Sequence, residues 1–159
     1  MYDFEIAAAN PETMYRDLAS ALEGLIAGEP DSIANMANAA ALIFETLPDL
    51  NWAGFYRNID EELVLGPFQG RPACIRIAFG AGVCGVAAET RKVQRVEDVN
   101  AFAGHIACDS ASLSELVVPI VRGDELLGVL DLDSPKKGRF SETDEAGCVK
   151  LVSILSRIL

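Results

Sequence analysis

Two apolar segments near the end of the chain predict a β-hairpin, and this hairpin constrains the fold more than any other feature. Residues 116–122 and 125–133 are both rich in Val, Ile and Leu, and only Gly123-Asp124 separates them. A two-residue connection of this kind joins antiparallel strands. The chain is therefore expected to contain an antiparallel sheet.

Four other short segments have the composition of strands and are predicted to extend this sheet: residues 51–57, 62–69, 75–79 and 93–96. The first two are predicted to join through Asn58-Ile59-Asp60. Gly80-Ala81-Gly82 then breaks the chain before a short helix at residues 83–90. Residues 97–114 are predicted to form an irregular loop, long enough to carry function.

Helices are predicted towards both ends of the chain. Residues 12–27 and 31–46 place apolar side chains at helical spacing. Ser141, followed three residues later by Asp144, is predicted to open a C-terminal helix that runs to residue 159. This order predicts an α+β domain with a central antiparallel sheet and with the N- and C-terminal helices packed on one face.

Length and charge restrict the class of protein. A chain of 159 residues suits one domain over residues 1–159. Its formal net charge of −11 repels nucleic acids and anionic membrane surfaces, so neither is expected as a partner. Residues 1–12 carry three acids and no basic cluster, unlike a secretory signal, and no apolar run is long enough to span a bilayer. We therefore expect a cytoplasmic protein, whose thiols stay reduced rather than forming a permanent disulfide framework.

The four cysteines form no C-x-x-C pair, which argues against a zinc ribbon and a thioredoxin-type motif. Cys148 lies among apolar residues of the C-terminal helix and is predicted to be a small core residue. Cys84 lies at the start of the short helix, where unpaired N–H groups lower the pKa of a thiol. Cys74 precedes a strand, and Cys108 lies in the long loop.

Each of Cys74, Cys84 and Cys108 is also compatible with an ordinary structural role. His105, the only histidine, lies three residues before Cys108 and either raises its reactivity or is simply exposed to water. A zinc site built from the cysteines and His105 stays open, although its spacing is unusual. Three cysteines outside the helical core nevertheless favour a redox function.

Three acidic residues are predicted to converge on the hairpin. Side chains alternate along a strand, so Asp131 and Asp133 share one face of residues 129–133. Asp is disfavoured within strands, and Glu115 opens the partner strand. The three carboxyl groups would bind a cation such as an amino acid ammonium, and their repulsion would raise the pKa of at least one of them. A wet strand end would also explain Asp133, though it explains Asp131 less well.

Trp52 and Tyr56 are four residues apart on a predicted strand and therefore face the same side. One interpretation is ordinary packing against the sheet. The other is an apolar wall for a methyl–sulfur group, because sulfur packs well against aromatic rings.

Five motifs together resemble the free methionine-(R)-sulfoxide reductases, which are single GAF domains. The resemblance extends from about Tyr15 to the C-terminus. Its motifs are Asn51-Trp52-Ala53-Gly54-Phe55-Tyr56, Gly66-Pro67-Phe68-Gln69-Gly70 with Pro72-Ala73-Cys74, Gly82-Val83-Cys84-Gly85, His105-Ile106-Ala107-Cys108-Asp109 and Leu130-Asp131-Leu132-Asp133-Ser134.

The resemblance implies a role for each candidate residue. Cys108 resembles the catalytic thiol, Cys74 the cysteine that forms a disulfide with it, and Cys84 a further recycling cysteine. The acidic and aromatic residues match those that hold the substrate: Glu115, Asp131, Asp133, Trp52 and Tyr56.

The implied reaction is the reduction of free methionine-(R)-sulfoxide through a sulfenic acid on Cys108 and then an intramolecular disulfide. A carboxyl group of raised pKa, that of Glu115 or Asp131, protonates the sulfoxide oxygen. Thioredoxin restores the thiols, no metal or organic cofactor is required, and the family suggests a homodimer. Two alternatives remain at this point: a small-molecule-binding or redox-sensing GAF domain without turnover, and a thiol enzyme that reduces peroxides.

Overall fold

The computed structural model describes residue 6, residues 10–104 and residues 111–159. It contains four α-helices and six strands in these residues, and their order along the chain is α1 Pro11–Ile26, α2 Ser32–Thr46, β1 Trp52–Ile59, β2 Glu62–Gly70, β3 Arg76–Ala78, α3 Gly82–Thr90, β4 Gln94–Val96, β5 Ser114–Arg122, β6 Glu125–Ser134 and α4 Glu142–Leu155. The predicted α+β architecture is confirmed.

Side-chain caps define where three helices begin. The Asn10 side chain accepts hydrogen bonds from the first turn of α1, and that of Asp31 accepts one from the Ala34 N–H in α2. At α4, Ser141 and Asp144 form a reciprocal capping box, as the sequence predicted. These side chains satisfy N–H groups that a helix start leaves without intrahelical partners.

The six strands form one sheet in the order β3-β2-β1-β6-β5-β4, and each pair of neighbours is antiparallel. Strands β5 and β6 form the predicted hairpin and lie near the middle of the sheet with β1. Each of these three strands pairs with a neighbouring strand on both sides. Their backbone is therefore held in place, and side chains on them are positioned rigidly.

Two apolar clusters lie on opposite faces of the sheet. The helix-side cluster contains Phe55, Leu116, Leu130 and Leu132, packed with residues of α1, α2 and α4. Helix α3 covers the other face, where its Val83 and neighbouring residues pack with a second cluster. The prediction that the N- and C-terminal helices share one face is therefore confirmed.

The structure corrects several predicted boundaries. Residues 58 and 59 belong to β1, and the turn lies at Asp60-Glu61, where both residues have positive φ of 52° and 62°. Such angles are uncommon for residues other than glycine, so composition did not reveal this turn. Helix α4 ends at Leu155 rather than 159. The predicted loop 97–114 includes a 3₁₀ turn at Val99–Ala101, and its last residue begins β5.

Within the described residues, no helix is both long and apolar enough to cross a membrane.

Candidate active site

The candidate site lies on the face of the sheet covered by α3. Leu130 and Leu132 of β6 point into the helix-side core, while Val129 packs in the cluster on the opposite face. Because side chains alternate, Asp131 and Asp133 share the face of Val129. The predicted separation of acidic and apolar side chains along β6 is confirmed.

The three predicted acids come together through strand register. Glu115 of β5 pairs with Asp133 of β6, and Asp131 is two residues away on the same face of β6. Glu115 and Asp131 are buried, with 7% and 6% exposure, while Asp133 is half-buried. Within the described part of the chain, no lysine or arginine forms an ion pair with Glu115 or Asp131. The carboxyl groups of Glu115 and Asp131 therefore lie buried together without a lysine or arginine partner among the described residues.

Burial and mutual repulsion favour protonated acids. Burial, followed by the charges of Asp131 and Asp133, holds the pKa of Glu115 well above its ordinary value. Burial raises the pKa of Asp131 to about 7, although hydrogen bonds with Cys84 and Glu115 lower it. One oxygen of Asp131, Oδ1, is buried and has no hydrogen-bond partner among the residues that the structure describes. The site thus has both an acid that can hold a proton and a free acceptor.

An aromatic stack borders the acids. The Trp52 ring stacks on Tyr56 at a centroid distance of 5.9 Å and on Phe68 at 5.2 Å. Trp52 also pairs with Asp133 across the β1–β6 ladder, which brings the aromatic and acidic groups onto one surface. The sequence predicted only Trp52 and Tyr56 as members of this stack. Phe68 was missed because it lies on another strand, β2, and its contact with the stack depends on the pairing of Gly54 with Phe68.

Gly54 allows the rings to approach the sheet. A Cβ at this position would lie 2.3 Å from Phe68 Cβ and 2.7 Å from Trp52 Cη2. Such separations are far below van der Waals contact. Phe68 Cβ is bonded directly to the backbone, so it cannot move away without moving β2. Glycine at position 54 is therefore required by packing against Trp52 and Phe68.

Two hydrogen bonds connect the stack to the segment after β2. The indole Nε1 of Trp52 donates to the Arg71 carbonyl at 3.1 Å, and the Tyr56 hydroxyl donates to the Cys74 carbonyl at 3.0 Å. Burial, and then the nearby charge of Asp131, raises the pKa of Tyr56, so the phenol remains a donor. These bonds hold Cys74 beside the aromatic wall.

Cys84 lies in the first turn of α3 and points to the acids. Its Sγ lies 3.9 Å from Glu115 Oε1, and the thiol is 4% exposed. Burial, and then the charges of Asp131 and Glu115, raises the pKa of Cys84 well above the ordinary thiol value. The sequence-based prediction of a lowered pKa was therefore wrong, because desolvation and neighbouring carboxyl groups outweigh the effect of the helix start.

The cysteines differ in chemical state. Cys74 is disulfide-bonded, whereas Cys84 and Cys148 are free thiols. Cys148 is fully buried in the helix-side core, as predicted, and burial raises its pKa to about 12. Cys108, predicted to be the catalytic thiol, lies outside the described residues together with His105. The predictions for these two residues, including the zinc site with His105, stay predictions.

Comparison with known proteins gives a consistent result. The model of the GAF domain family matches residues 32–158. The free methionine-R-sulfoxide reductase of Escherichia coli is 51% identical over 94% of this chain and 91% of the relative. The enzyme of the same name from Saccharomyces cerevisiae is 42% identical over 93% of this chain and 87% of the relative.

Solved structures show the same likeness. The X-ray structure of free methionine-R-sulfoxide reductase from Neisseria meningitidis in complex with its substrate superposes with a TM-score of 0.95. It is 42% identical in sequence, and the match covers 99% of this chain and 95% of that chain.

Proposed function

The chain belongs to the GAF domain family and, within it, to the free methionine-R-sulfoxide reductases, and from this premise we propose that it reduces free methionine-(R)-sulfoxide to methionine. The observation that carries the proposal is the shared surface of Glu115, Asp131 and Asp133 beside the Trp52 stack. That surface has one region suited to a cation and another suited to a methyl–sulfur group.

The acids account for preference for a free amino acid. The ammonium of the substrate would be held by this acidic group, in which Glu115 and Asp131 form no ion pair with a lysine or arginine of the described residues. Charge-assisted hydrogen bonds of this kind are strong. A methionine within a peptide has no ammonium to offer. The free form is therefore favoured by electrostatics, while the rings of Trp52 and Tyr56 hold the methyl–sulfur end.

In the proposed chemistry the Cys108 thiolate attacks the sulfoxide sulfur. A protonated carboxyl group, that of Glu115 or Asp131, gives its proton to the sulfoxide oxygen, since burial and repulsion favour the protonated form. The sulfur–sulfur bond formed by this attack breaks as the hydroxyl group moves to the Cys108 sulfur, so that methionine leaves as the reduced product and Cys108 becomes a sulfenic acid. The electrons that reduce the substrate thus come from the cysteine sulfur.

Cys74 is the proposed resolving thiol. It is disulfide-bonded and sits beside the aromatic wall, whereas Cys84 is free, buried and of raised pKa. The Cys74 thiol attacks the sulfenic acid, which releases water and forms a disulfide with Cys108. A dithiol of the thioredoxin type then reduces this disulfide by exchange, in keeping with a cytoplasmic, reducing compartment. The further recycling role that the resemblance implies for Cys84 stays a prediction.

A turnover assay tests this function. Purified protein is incubated with free methionine-(R)-sulfoxide and dithiothreitol, and methionine is quantified by chromatography. We expect turnover that is lost in Cys108→Ser and retained in Cys148→Ser, the matched control with a cysteine in the core. Saturable binding without turnover in the wild type would instead support the ligand-binding or redox-sensing alternative. Consumption of peroxide that survives loss of the acids would support a peroxide-reducing enzyme.

Thioredoxin is tested separately from dithiothreitol. With thioredoxin, thioredoxin reductase and NADPH, Cys74→Ser is expected to accumulate the sulfenic acid after a single turnover. Multiple turnovers by Cys74→Ser at the wild-type rate would reject Cys74 as the resolving thiol.

A further inference from the structure

We propose that Cys84, Glu115 and Asp131 form a binding site for a thiophilic divalent cation of the Zn²⁺ or Cd²⁺ class, and that the bound ion inhibits the enzyme. The inhibitory part rests on the proposed function, because the ion would occupy the place of the substrate ammonium. The metal-binding part rests only on the described residues. The ion is an inhibitor and not a cofactor of the reaction.

The geometry brings three ligand atoms together from three separate elements. One ligand atom each from Cys84 in α3, Glu115 in β5 and Asp131 in β6 lies within 4.8 Å of the other two. Sulfur and oxygen ligands of a tetrahedral zinc ion are about 3.5 Å apart, given bond lengths of about 2.3 Å and 2.0–2.2 Å. The 3.9 Å between Cys84 Sγ and Glu115 Oε1 therefore has to shorten by only a few tenths of an ångström.

The set of ligands is also chemically suited to this class of ion. One thiolate and two carboxylates carry three negative charges when deprotonated, and a thiolate selects a soft or borderline metal over Mg²⁺ or Ca²⁺. Three protein ligands leave a fourth position for water or another small ligand. Such an open coordination position is typical of sites at which the metal exchanges its water or small-molecule ligand.

An independent observation concerns the partners of the cluster within the described part of the chain. Asp131 is 6% exposed, and within residues 10–104 and 111–159 its buried Oδ1 has no hydrogen-bond partner. Neither Asp131 nor Glu115 forms an ion pair with a lysine or arginine of the described residues. A buried polar atom left without a partner is costly, and a cation would supply that partner.

Burial of the cluster strengthens the interaction once the ion is bound. Burial and the neighbouring negative charges raise the pKa of the Cys84 thiol. A divalent cation has the opposite effect, because it stabilises the thiolate. Binding would therefore release protons. Asp133, the next residue on this face of β6, is half-buried, so this face becomes more exposed beyond Asp131.

Cadmium provides a direct test because a cadmium–thiolate bond has a charge-transfer absorption in the ultraviolet. Reduced protein, freed of dithiothreitol under nitrogen, is titrated with CdCl₂ while absorbance and heat of binding are recorded. We expect a charge-transfer band that saturates at one ion per chain. The band should disappear in Cys84→Ser. It should persist in Cys148→Ser, because the buried thiol of Cys148 lies on the other face of the sheet.

Further variants separate the site from other thiols. Asp131→Asn keeps the thiol and the side-chain size, and we expect it to weaken cadmium binding at least about 10-fold, as loss of one charged ligand would. Thermal unfolding confirms that each variant is folded. A band that survives in Cys84→Ser but is lost in Cys108→Ser or Cys74→Ser would place the ion elsewhere and overturn the proposal, as would the absence of any band.

Competition tests the inhibitory part without depending on turnover. Methionine, the reaction product with the same ammonium, is added during the cadmium titration, and we expect a lower apparent affinity for cadmium. Zn²⁺ is also expected to inhibit reduction competitively with the sulfoxide and reversibly on addition of EDTA. If cadmium binds through Cys84 but methionine and activity are unaffected, the inhibitory part is rejected. A protein that binds cadmium and never turns over would reject the proposed reductase function and leave the metal site in place.

Discussion

Glu115 and Asp133 face each other across the β5–β6 ladder, although like charges in directly opposed positions destabilise a sheet. This pairing lies beside the buried Asp131 in the middle of the sheet. A cationic ligand is the simplest reason for such an arrangement, since it converts repulsion into attraction.

We expect Asp133→Asn to raise KM for free methionine-(R)-sulfoxide about 10- to 100-fold, because a hydrogen bond to a charged group contributes about 1.5–3 kcal/mol. Activity on N-acetylmethionine sulfoxide, which lacks the ammonium, should be poor in wild type and variant alike. Glu125→Gln, at the exposed start of β6, serves as the control and should leave KM unchanged. An unchanged KM in Asp133→Asn would exclude this residue from ammonium binding.

Trp52 is the only tryptophan of the chain, so its fluorescence reports on the site alone. Substrate placed against the ring displaces water and brings a polarisable sulfoxide within contact, which should change the emission. We expect a saturable change when methionine-(R)-sulfoxide is titrated into Cys108→Ser, where turnover is blocked. No change at saturating substrate would mean that the Trp52 stack is not the binding wall.

Tyr56→Phe removes the hydroxyl that donates to the Cys74 carbonyl but keeps the ring. A neutral hydrogen bond of this kind contributes about 0.5–1.5 kcal/mol, so we expect disulfide formation to slow about 2- to 10-fold while KM changes little. Rapid quenching with a sulfenic acid trap measures that step. A large change in KM with normal disulfide formation would place the role of the hydroxyl in substrate binding instead.

Gly54→Ala is expected to destabilise the protein by about 1–3 kcal/mol or more, because its Cβ would overlap Phe68 and Trp52. Urea unfolding measures the free energy. Gly24→Ala in α1 is the matched control: nothing lies within 4 Å of its Cβ, and the change should stabilise the helix by up to about 1 kcal/mol. Equal stability of Gly54→Ala and wild type would show that the stack can move away from β1.

A buried network joins α1 to α4 and makes stability depend on pH. Asp144 accepts hydrogen bonds from the Tyr15 hydroxyl at 2.8 Å and from the Ser141 N–H at 2.7 Å, and it pairs with Arg139 at 3.0 Å. Burial raises the pKa of Asp144, but hydrogen bonds from Ser141 and Tyr15 and the charge of Arg139 lower it by more. Its folded-state pKa is therefore below the ordinary 3.8.

The sign of the pH effect follows from this lowered pKa. The unfolded chain binds the Asp144 proton before the folded protein does, so the stabilising contribution is present above the unfolded pKa and is lost as pH falls through the folded one. We expect the difference in melting temperature between wild type and Asp144→Asn to be constant near neutral pH and to narrow below pH ~4. A difference that does not vary with pH would contradict the assignment.

Local patterns in the sequence were sufficient wherever alternation or spacing determines structure. The alternation of Leu130, Asp131, Leu132 and Asp133 predicted which side chains face the site, and the pair Ser141 and Asp144 predicted the start of α4. Trp52 was correctly placed with Tyr56 for the same reason. Such features can be predicted because they depend only on residues within one strand or one helical turn.

Features that depend on distant parts of the chain were not predicted. The pKa of Cys84 is set by burial of α3 against the sheet and by acids from two other strands, none of which a helix start reveals. Phe68 joins the stack only through the register of β2 with β1. The end of α4 at Leu155 has no glycine to mark it. The role of Cys108 stays a prediction.

The opposite surroundings of neighbouring residues on β6 have a consequence for heat resistance. Leu130 and Leu132 contribute to the core, while buried Asp131 between them opposes folding because its charge is removed from water. An apolar side chain at position 131 is expected to stabilise the fold and to remove one of the proposed ligands of the substrate ammonium. The proposed ligand-binding role of Asp131 therefore lowers the melting temperature, and substitutions that raise it without loss of that role are expected away from this face of β6.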